Sequence, residues 1–495
     1  MMEGIVKKNP ATGVVLGEVP VQGAEEVRAA VARARAAQAE WGALAVSERA
    51  ARMGAFRAEV VGRAEEIIDL LVREGGKTKQ EALGMEVILV ADLTDWFAKH
   101  AADILAPQSI PLHLLKHRKS WIHYVPRGVI GVISPWNFPF SIPMGETVMA
   151  LLAGNGVVLK PSEVTPLIAL KAKELYDASG LPKDLFQVVT GRGETGAALI
   201  DAGVDMVVFT GSVATGRKVA AACGERLIPC TLELGGKAPV VVCADADLER
   251  TANALVWGAF ANSGQVCASV ERAYVHEAVY DELVAKVVER TRKLRQGDPA
   301  GEVDVGAMTW DRQVDIVEER VKSAVASGAK VAAGGKRGPG PGLFFEPTVL
   351  TDCKQDMDVM RKEIFGPVLP IMKVRTDDEA VKLANDSHLG LLAYVFSRDR
   401  TKARRVAEKI EAGTVMVNDV LNTYAAPETP WGGVKQSGIG VTHSAEGLRA
   451  LCQARHVNAD RVALRRDLWW YPYSDKAHAF MLKAMRFLFR GRRRA

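Results

Sequence analysis

Apolar β-rich runs alternate with alanine-rich amphipathic stretches along the first half of the chain. Val129–Ile133, Gly156–Leu159 and Met206–Phe209 are nearly unbroken aliphatic runs, as expected of strands buried on both faces. Stretches such as 24–40 and 166–179 space their apolar residues as helices do. Alternation of strands with helices predicts a parallel sheet built from strand–helix–strand units.

A second series of the same kind begins at Pro239–Val242, directly after the glycine-rich stretch Glu233–Lys237. Glycine is a strong structural punctuator, so we interpret this stretch as a hinge between two α/β domains. The length of 495 residues also exceeds what one hydrophobic core usually supports. Two or three packed units are therefore predicted.

Composition narrows the class of protein. Hydrophobic residues at 48% and charged residues at 25% are ordinary for a soluble globular enzyme. The net charge of +5 arises at the C-terminal end, because seven Lys/Arg and no acid follow from Lys476 onward. The rest of the chain is slightly acidic, which argues against nucleic-acid binding.

The cysteines and the absence of targeting signals predict a cytoplasmic location. No stretch has the pattern of a signal peptide or the length of a membrane span. The six cysteines show neither disulfide nor metal-ligand spacing, so no metal is expected. They are Cys223, Cys230, Cys243, Cys267, Cys353 and Cys452.

Cys267 lies at the end of Phe260-x-Asn262-x-Gly264-Gln265-x-Cys267, on a predicted loop between a helix capped by Asp245 or Asp247 and a strand starting near Ala273. A thiol held on such a loop suits covalent catalysis. A lone cysteine, however, is more often a small buried hydrophobe. The segment alone leaves both interpretations open.

Seven motifs together decide between them. The chain resembles the NAD(P)-dependent aldehyde dehydrogenase superfamily from about Ile5 to Val462, because these motifs occur in the order typical of that superfamily. Besides the Cys267 motif they are Glu233-Leu-Gly-Gly-Lys237, Pro135-Trp136-Asn137-Phe138-Pro139, Lys160-Pro-Ser162-Glu163, Phe209-Thr-Gly211-Ser212, Glu363-Ile-Phe365-Gly-Pro367 and Pro430-x-Gly432-Gly433-x-Lys435-x-Ser437-Gly438-x-Gly440.

The resemblance implies an aldehyde dehydrogenase-like α/β fold in several parts. It implies a Rossmann-type NAD-binding domain over 1–106 and 127–235 and an α/β catalytic domain over 236–440. A β bridging or oligomerisation element is expected at 107–126 and 452–467, followed by an aromatic and basic tail at 468–495. Protruding strands suit subunit pairing by sheet extension, so a homodimer or homotetramer is expected.

The resemblance also implies the chemistry. The thiolate of Cys267 adds to the aldehyde carbonyl, and the oxyanion is stabilised by the Asn137 amide and the Cys267 backbone N–H. Hydride passes to the nicotinamide, and Glu233 activates the water that clears the thioester to a free acid. Glu233 thus argues against transfer of the acyl group to coenzyme A. Lys160 completes the expected catalytic set.

The expected cofactor is NAD, with NADP possible. The turn after Met206–Phe209 leads into a helix whose N-terminus suits a pyrophosphate, and Glu163 with Lys160 suits the hydroxyls of the adenosine ribose. The two-glycine turn does not match the Gly-x-Gly-x-x-Gly fingerprint, so its role rests on the resemblance. The expected cofactor-binding residues are Ile133, Ser134, Trp136, Lys160, Ser162, Glu163, Gly193, Gly211, Ser212, Gly216, Leu234, Glu363 and Phe365.

The residues at the family's substrate-tunnel positions are nearly all apolar. They are Phe138, Ile142, Gly145, Val266, Ala268, Tyr424 and Trp431. None is an arginine that could hold a substrate carboxylate, which disfavours succinate semialdehyde, and Gly145 is expected to widen the tunnel. A medium- or long-chain aliphatic aldehyde is the predicted substrate, with an aromatic aldehyde as the alternative.

The tail departs from most of the family. Its aromatic segment Trp469–Tyr473 is similar to that of fatty aldehyde dehydrogenases, and an amphipathic basic pattern follows, ending in Arg490 and Arg492–Arg494. Such a helix could lie on the inner face of an anionic membrane, or pack on the enzyme itself or over a partner subunit's tunnel. A membrane-associated protein with idle catalytic residues is a further alternative.

A second departure is Val441-Thr442-His443 after Gly440, where many family members carry an acidic residue. This leaves Glu233 as the main base. His443 could in principle substitute for that acid, although a lone histidine is more often structural.

Overall fold

The structure, a computed structural model, describes residues 4–462 and 464–489. The strands in this part of the chain are β1 Gly4–Lys8, β2 Val15–Pro20, β3 Gln108–Ser109, β4 Arg118–Pro126, β5 Val129–Ile133, β6 Gly156–Lys160, β7 Phe186–Val188, β8 Met206–Thr210, β9 Cys230–Glu233, β10 Pro239–Val242, β11 Arg272–His276, β12 Lys330–Ala333, β13 Thr348–Thr351, β14 Val368–Val374, β15 Leu389–Gly390, β16 Leu392–Phe396, β17 Thr414–Val417, β18 Val434–Lys435, β19 Gly438–Ile439 and β20 Cys452–Asp460. The runs predicted from periodicity match β5, β6, β8 and β10 to within one residue.

The α-helices within the same described ranges are α1 Ala24–Ala43, α2 Val46–Gly62, α3 Ala64–Gly75, α4 Lys79–Ala82, α5 Ile88–Ile104, α6 Ser141–Leu152, α7 Leu167–Ala178, α8 Gly193–Asp201, α9 Val213–Glu225, α10 Leu248–Phe260, α11 Glu277–Lys293, α12 Asp311–Ala326, α13 Asp358–Arg361, α14 Asp377–Asn385, α15 Arg400–Ala407, α16 Ser444–Ala450 and α17 Asp475–Leu488. A π-helical segment, Leu83–Val87, joins α4 to α5. Short 3₁₀ turns occur at Lys183–Leu185, Ala261–Gly264 and Asn422–Ala425.

The described residues up to Ala106, together with Tyr124–Gln453, form one compact unit. Its first sheet has the order β19-β9-β8-β5-β6-β7, with β5 to β9 parallel and β19 antiparallel to β9. From β5 the chain builds outward through β6 and β7, and then returns to the other side of β5 with β8. Ligands of parallel sheets bind at such a reversal point, beyond the carboxyl ends of the strands.

The second sheet of this unit has the order β12-β13-β14-β11-β10-β16-β17, parallel except for β12. β10 and β11, which flank the Cys267 segment in sequence, are central strands with every residue of β10 buried. The Cys267 loop therefore rests on the most constrained part of this sheet.

The chain passes from the first sheet to the second between Glu233 and Pro239, in the glycine-rich stretch interpreted as a hinge. It is held there by Lys237, whose Nζ lies 2.5 Å from Oε2 of Glu271, with both side chains buried. Arg272 is also buried and donates to the carbonyl oxygens of Lys237 and Ala384, so it serves the scaffold. The chain later returns to the first sheet, where β19 pairs with β9. β19 lies inside the range 236–440 predicted for the catalytic domain.

The second compact unit consists of Pro107–His123 and the described residues from Ala454 onward. Within it, Ile110 N donates to Ser120 O at 2.9 Å, and Arg461 N donates to His117 O at 2.8 Å. The aromatic side chains of Trp469, Trp470, Tyr471 and Tyr473 are exposed. α17 follows them, with the Ser474 hydroxyl accepting from Ala477 N at 3.2 Å as its N-cap.

None of the helices in the described ranges has both the length and the apolar character that crossing a bilayer demands. Four arginines that complete the predicted basic tail, Arg490 and Arg492–Arg494, lie outside the described residues.

Candidate active site

The loop that carries Cys267 is fixed by an unusual backbone. α10, capped by Asp247, ends at Phe260, and the next turn places Asn262, Ser263 and Gly264 at φ values of 50°, 53° and 71°. A Cβ on Gly264 would lie 2.2 Å from the Gly366 carbonyl oxygen, so only glycine fits there. Three consecutive left-handed residues reverse the chain sharply and direct Cys267 away from the helix.

Gln265 locks this reversal. Its side-chain amide donates to Asn262 O at 2.9 Å, and its Oε1 accepts from Thr309 N at 2.9 Å. Gln265 is fully buried, so both bonds form away from water, where each counts more toward rigidity. The motif residues around Cys267 therefore serve to position the thiol.

Asn137 is joined directly to this loop. Its Nδ2 donates to Gln265 O at 3.0 Å, two residues before Cys267, and its carbonyl accepts from Asn262 Nδ2 at 3.1 Å. Lys77 donates to the Asn137 carbonyl and to Asn262 Oδ1. The predicted oxyanion donor and the predicted nucleophile are thus held by one buried polar network.

Cys267 and Glu233 line one cavity of about 330 Å³. The cavity also takes in Phe138, Ile142, Val266, Ala268, Tyr424 and Trp431, six of the seven residues expected at the substrate tunnel, together with Leu234. Its further lining residues include Met85, Leu89, Trp257, Leu391 and Leu421. Because hydrophobic side chains dominate the wall, the cavity suits an apolar ligand.

Gly145 does not line the cavity, contrary to the tunnel prediction. Ser141, Ile142 and Glu146 of α6 line the cavity, whereas the space beside Gly145 is taken by neighbouring side chains. A Cβ on Gly145 would lie 3.3 Å from Leu93 Cδ1 and 4.0 Å from His443 Nε2. This glycine therefore permits close packing behind the wall of the cavity, and the width of the cavity does not come from it.

Glu233 ends β9 with its carboxyl group buried. Neither carboxyl oxygen accepts a hydrogen bond from the described residues. The indole of Trp431 lies nearby and acts to lower the pKa of Glu233, but it is the smallest of the influences on that pKa. Burial raises the pKa of Glu233 well above its usual range, and the charge of Glu146 adds to that rise. Once ionised, this carboxyl group is a stronger base than an ordinary glutamate.

The thiol of Cys267 is also in an environment that disfavours its ionised form. Burial raises its pKa to about 12, with the carboxylates of Glu363 and Glu233 contributing. The backbone N–H groups of Cys267 and Ala268 act in the opposite direction. Without a bound reaction partner the group is a neutral thiol, so its proton must leave as the sulfur reacts.

A second acid, Glu146, lines the same cavity and was not predicted from the sequence. Its carboxyl accepts from the Thr442 hydroxyl at 2.5 Å, and burial raises its pKa to about 7. The signal was present in the sequence, because Glu146 is the one acid in the otherwise apolar stretch 141–152. A lone buried carboxylate of this kind is a functional-site candidate.

His443, considered as a substitute base, follows Thr442 at φ 57° and is fully buried. Neither ring nitrogen has a hydrogen-bond partner in the described part of the chain. Burial lowers its pKa to about 4, so the ring is neutral at physiological pH.

The predicted cofactor residues lie at the carboxyl ends of the first sheet. Lys160 ends β6 and pairs with Glu163 at 3.5 Å, and the Glu163 carboxylate is accessible to a ligand. Ile133 ends β5, and its Cδ1 lies 3.8 Å from the Cβ position of Gly196 in α8, the helix that Gly193 begins.

Polar groups without protein partners also occur at this edge. The buried hydroxyl of Ser134 has no hydrogen-bond partner in the described residues, while Ser134 N donates to Lys160 O at 3.1 Å. The Ser162 hydroxyl accepts from Val164 N. An unsatisfied buried hydroxyl beside an accessible carboxylate fits a polar ligand such as a nucleotide ribose.

The turn after β8 leads into α9, whose N-cap is Ser212. A Cβ on Gly216 would lie 2.5 Å from Leu234 Cδ2, so this glycine lets α9 pack closely on the residue that follows Glu233. Gly211, just before the cap, packs against the ring of Phe209. Free N–H groups at this helix start suit a pyrophosphate.

Glu363 and Phe365 are held over the hinge. Glu363 Oε1 accepts from Gly236 N at 3.0 Å, and burial raises the pKa of Glu363 to about 8. The Phe365 ring packs edge-on against Trp136 at 5.3 Å. These groups lie close to the nucleophile, because a Cβ on Gly236 would lie 2.2 Å from Cys267 O.

The residues present therefore fit a dinucleotide bound from Glu163 to the Cys267 loop. No group of three side chains able to hold a metal ion occurs within the described ranges.

Comparison with known proteins finds similarity over nearly the whole chain. The profile of the aldehyde dehydrogenase family matches residues 2–457. The chain is 40% identical over 480 residues to 4,4'-diapolycopene aldehyde oxidase of Methylomonas sp, covering 96% of the chain and 90% of that protein. It is 40% identical over 454 residues to a putative succinate-semialdehyde dehydrogenase (NADP+) of Mycolicibacterium smegmatis, covering 91% and 88%.

Solved structures give the same result for the fold. The NAD-dependent aldehyde dehydrogenase from Sinorhizobium meliloti superposes with a TM-score of 0.91 at 36% identity, covering 95% of the chain and 93% of that structure. Lactaldehyde dehydrogenase from Escherichia coli gives a TM-score of 0.89 at 37% identity, covering 92% and 95%.

The environment of Cys267 makes a testable prediction about its reactivity. In the protein without added ligands, alkylation of Cys267 by iodoacetamide should accelerate about tenfold per pH unit between pH 7 and 9, without reaching a plateau, because the thiolate fraction rises throughout. Peptide mass spectrometry resolves each cysteine. Cys230 is the internal control, since the adjacent Cys223 lowers its pKa to about 7 and its alkylation should level off. A plateau for Cys267 below pH 8 would contradict the buried neutral thiol.

Proposed function

The chain belongs to the aldehyde dehydrogenase family, and we propose that it oxidises a medium- or long-chain aliphatic aldehyde to the carboxylic acid with NAD. The observation that carries this proposal is the cavity, which combines Cys267 and Glu233 with a predominantly apolar wall. The fold and the NAD(P)-dependent oxidation of aldehydes follow from family membership. The class of aldehyde and the roles of individual residues are the proposal.

In the first half-reaction Cys267 is the nucleophile. Its sulfur adds to the carbonyl carbon as the thiol proton leaves to solvent water, so the Glu233 carboxylate in the same cavity stays available for the second half-reaction. The new oxyanion is stabilised by Asn137 Nδ2 and the backbone N–H of Cys267. Because the Asn137–Gln265 bond already fixes the amide, little reorganisation is needed when the charge develops.

In the second half-reaction Glu233 activates water. A proton passes from the water to the carboxylate, the water oxygen bonds to the acyl carbon, and the C–S bond breaks to release the acid and the Cys267 thiolate. The free oxygens of Glu233 support this role, since neither is committed to a protein donor among the described residues.

The cofactor supplies an acceptor for the hydride that leaves the aldehyde carbon. Lys160, Glu163 and Ser134 would hold its adenosine end, the start of α9 its pyrophosphate, and Glu363 and Phe365 its nicotinamide end. The accessible Glu163 carboxylate favours NAD over NADP, because it would repel a phosphate on the ribose.

The charges of the cavity support an uncharged substrate. Its ionisable acids in the described structure are Glu81, Glu146 and Glu233, and no Lys, Arg or His lines it. A substrate carboxylate would meet like charge and no cation, although relatives of the chain are named for succinate semialdehyde. The relative named for 4,4'-diapolycopene aldehyde is similar in identity and favours the apolar class. The rings of Phe138, Tyr424 and Trp431 favour aromatic aldehydes as the second candidate.

The substrate proposal predicts a graded specificity. With NAD, kcat/KM should rise from acetaldehyde to decanal, by about tenfold for every two or so methylenes buried, and succinate semialdehyde should be a poor substrate. Benzaldehyde separates the aromatic alternative. NADH absorbance measures each rate, and Cys267→Ala should abolish all of them. The matched control is Cys353→Ala, a buried cysteine outside the cavity, which should retain activity. A preference for acetaldehyde or succinate semialdehyde would contradict the proposal.

We also propose that the C-terminal tail contacts an anionic lipid surface. On α17 the side chains of Phe480, Phe487 and Leu488 are exposed, and within the described residues the same helix carries Lys476, Lys483 and Arg486. Exposed apolar groups beside cations, preceded by exposed Trp and Tyr, are the features of helices that lie in a membrane interface. A second copy of the chain, paired through the β20 edge of the sheet β20-β4-β3 into a dimer or a dimer of dimers, is the alternative partner for this face.

Vesicle co-sedimentation tests the tail. Full-length protein should bind vesicles that contain phosphatidylglycerol and should bind phosphatidylcholine vesicles weakly, because the cations need anionic headgroups. Truncation before Trp469 should abolish binding, and the double substitution Lys483→Glu and Arg486→Glu should reduce it in the intact chain. Equal sedimentation of the full-length and truncated proteins would refute the proposal. A change in oligomer mass on truncation, without lipid binding, would assign the tail to the second copy.

A further inference from the structure

The cavity contains one carboxylate that the mechanism above does not use. Glu146 lies on α6, every residue of which is buried, and its own side chain is only 3% exposed. Burying an acid without a cation is costly, and no cation lines the cavity in the described part of the chain. Its bond from the Thr442 hydroxyl, at 2.5 Å, is a donor placed to favour the ionised form.

The other ionisable groups around Glu146 are already neutral or paired. Burial keeps Tyr424 and His443 neutral. On the elements that pack against α6, Glu86 accepts from Phe140 N and Ser141 N and pairs with Lys77. Arg49 donates to Leu152 O, Arg57 pairs with Asp95, and Lys160 pairs with Glu163. Glu233 is therefore the group in the described structure whose ionisation responds to that of Glu146.

One short stretch of chain holds the two carboxyl groups in place. Trp431 and Thr442 are paired by two backbone hydrogen bonds of 2.9 and 2.8 Å, and both line the cavity. Between them, Gly438 pairs with Glu233 in the sheet. Thr442 then binds Glu146, while Trp431 lies beside Glu233. The relative position of the two acids is thus fixed by the backbone.

The two acids are not equivalent. Glu146 has a hydroxyl donor that stabilises its anion, whereas Glu233 has no donor of comparable strength among the described residues. Glu146 therefore ionises first, and its charge then opposes ionisation of Glu233. A neighbour that opposes ionisation makes the carboxylate, once formed, a stronger base.

We propose that Glu146, held as an anion by Thr442, is a positioning residue that strengthens Glu233 as the base of the hydrolytic step. The inference rests on the proposed function, because it assigns Glu146 a role in clearing the thioester from Cys267. Glu146 acts through Glu233, and the proton from water still goes to Glu233.

The pH dependence of single-turnover hydrolysis tests this role. In Glu146→Gln the acidic limb of the rate of thioester breakdown should move down by about one pH unit, because Glu233 loses a neighbouring charge, and the plateau should fall by about threefold, because the base is weaker. The burst of NADH and the KM for decanal should stay within about twofold of wild type.

Thr442 supplies the matched pair of variants. Thr442→Val keeps the shape of the side chain but removes the hydroxyl, so it should move the acidic limb of the pH–rate profile in the same direction and by less. It also provides the test if Glu146→Gln does not fold. Thr442→Ser keeps the hydroxyl donor and should give the same pH–rate profile as the wild-type protein. An unshifted limb in Glu146→Gln, or in Thr442→Val when the first variant is unfolded, overturns the inference. Wild-type protein that forms no NADH with decanal contradicts the proposed function itself, and the inference falls with it.

Discussion

The account depends on desolvation of acidic groups around one sulfur. Glu233, Glu363 and Glu146 all lie in or beside the Cys267 cavity, and burial raises the pKa of each. The same burial keeps the thiol neutral until a reaction partner arrives. An apolar wall therefore has two effects: it suits the apolar aldehyde proposed as substrate, and it makes each of these carboxylates a stronger base once it is ionised.

Such a site needs a rigid support, since a base and a nucleophile are useful only at fixed separation. The support comes from buried polar groups outside the reaction. Lys77 holds the Asn137 carbonyl, Glu81 accepts from Asn262 N at 2.7 Å, and Lys237 with Glu271 fixes the passage between the sheets. These bonds explain why the motifs around the reacting residues contain so many amides and glycines.

Sequence periodicity predicted β5, β6, β8 and β10, because buried parallel strands are continuous aliphatic runs that local composition reveals. The motifs led to Cys267 and Glu233, which the structure places in one cavity, and to six of the expected tunnel residues in its wall. Glu146 stands out in the sequence as the one acid in the stretch 141–152, but its place in the cavity and that of Gly145 outside it depend on how α6 packs. The return of β19 to the first sheet was equally hidden, because a two-residue strand has no periodicity and its partner is about 200 residues away.

The most direct test is to trap the covalent intermediate. Glu233→Gln protein should be mixed with NAD and decanal, quenched with acid within seconds, and digested for mass spectrometry. The account predicts one NADH per active site and a decanoyl group on Cys267, which persists because the water is not activated. NADH formation with no acyl group on Cys267, or with the group on another cysteine, would contradict the account.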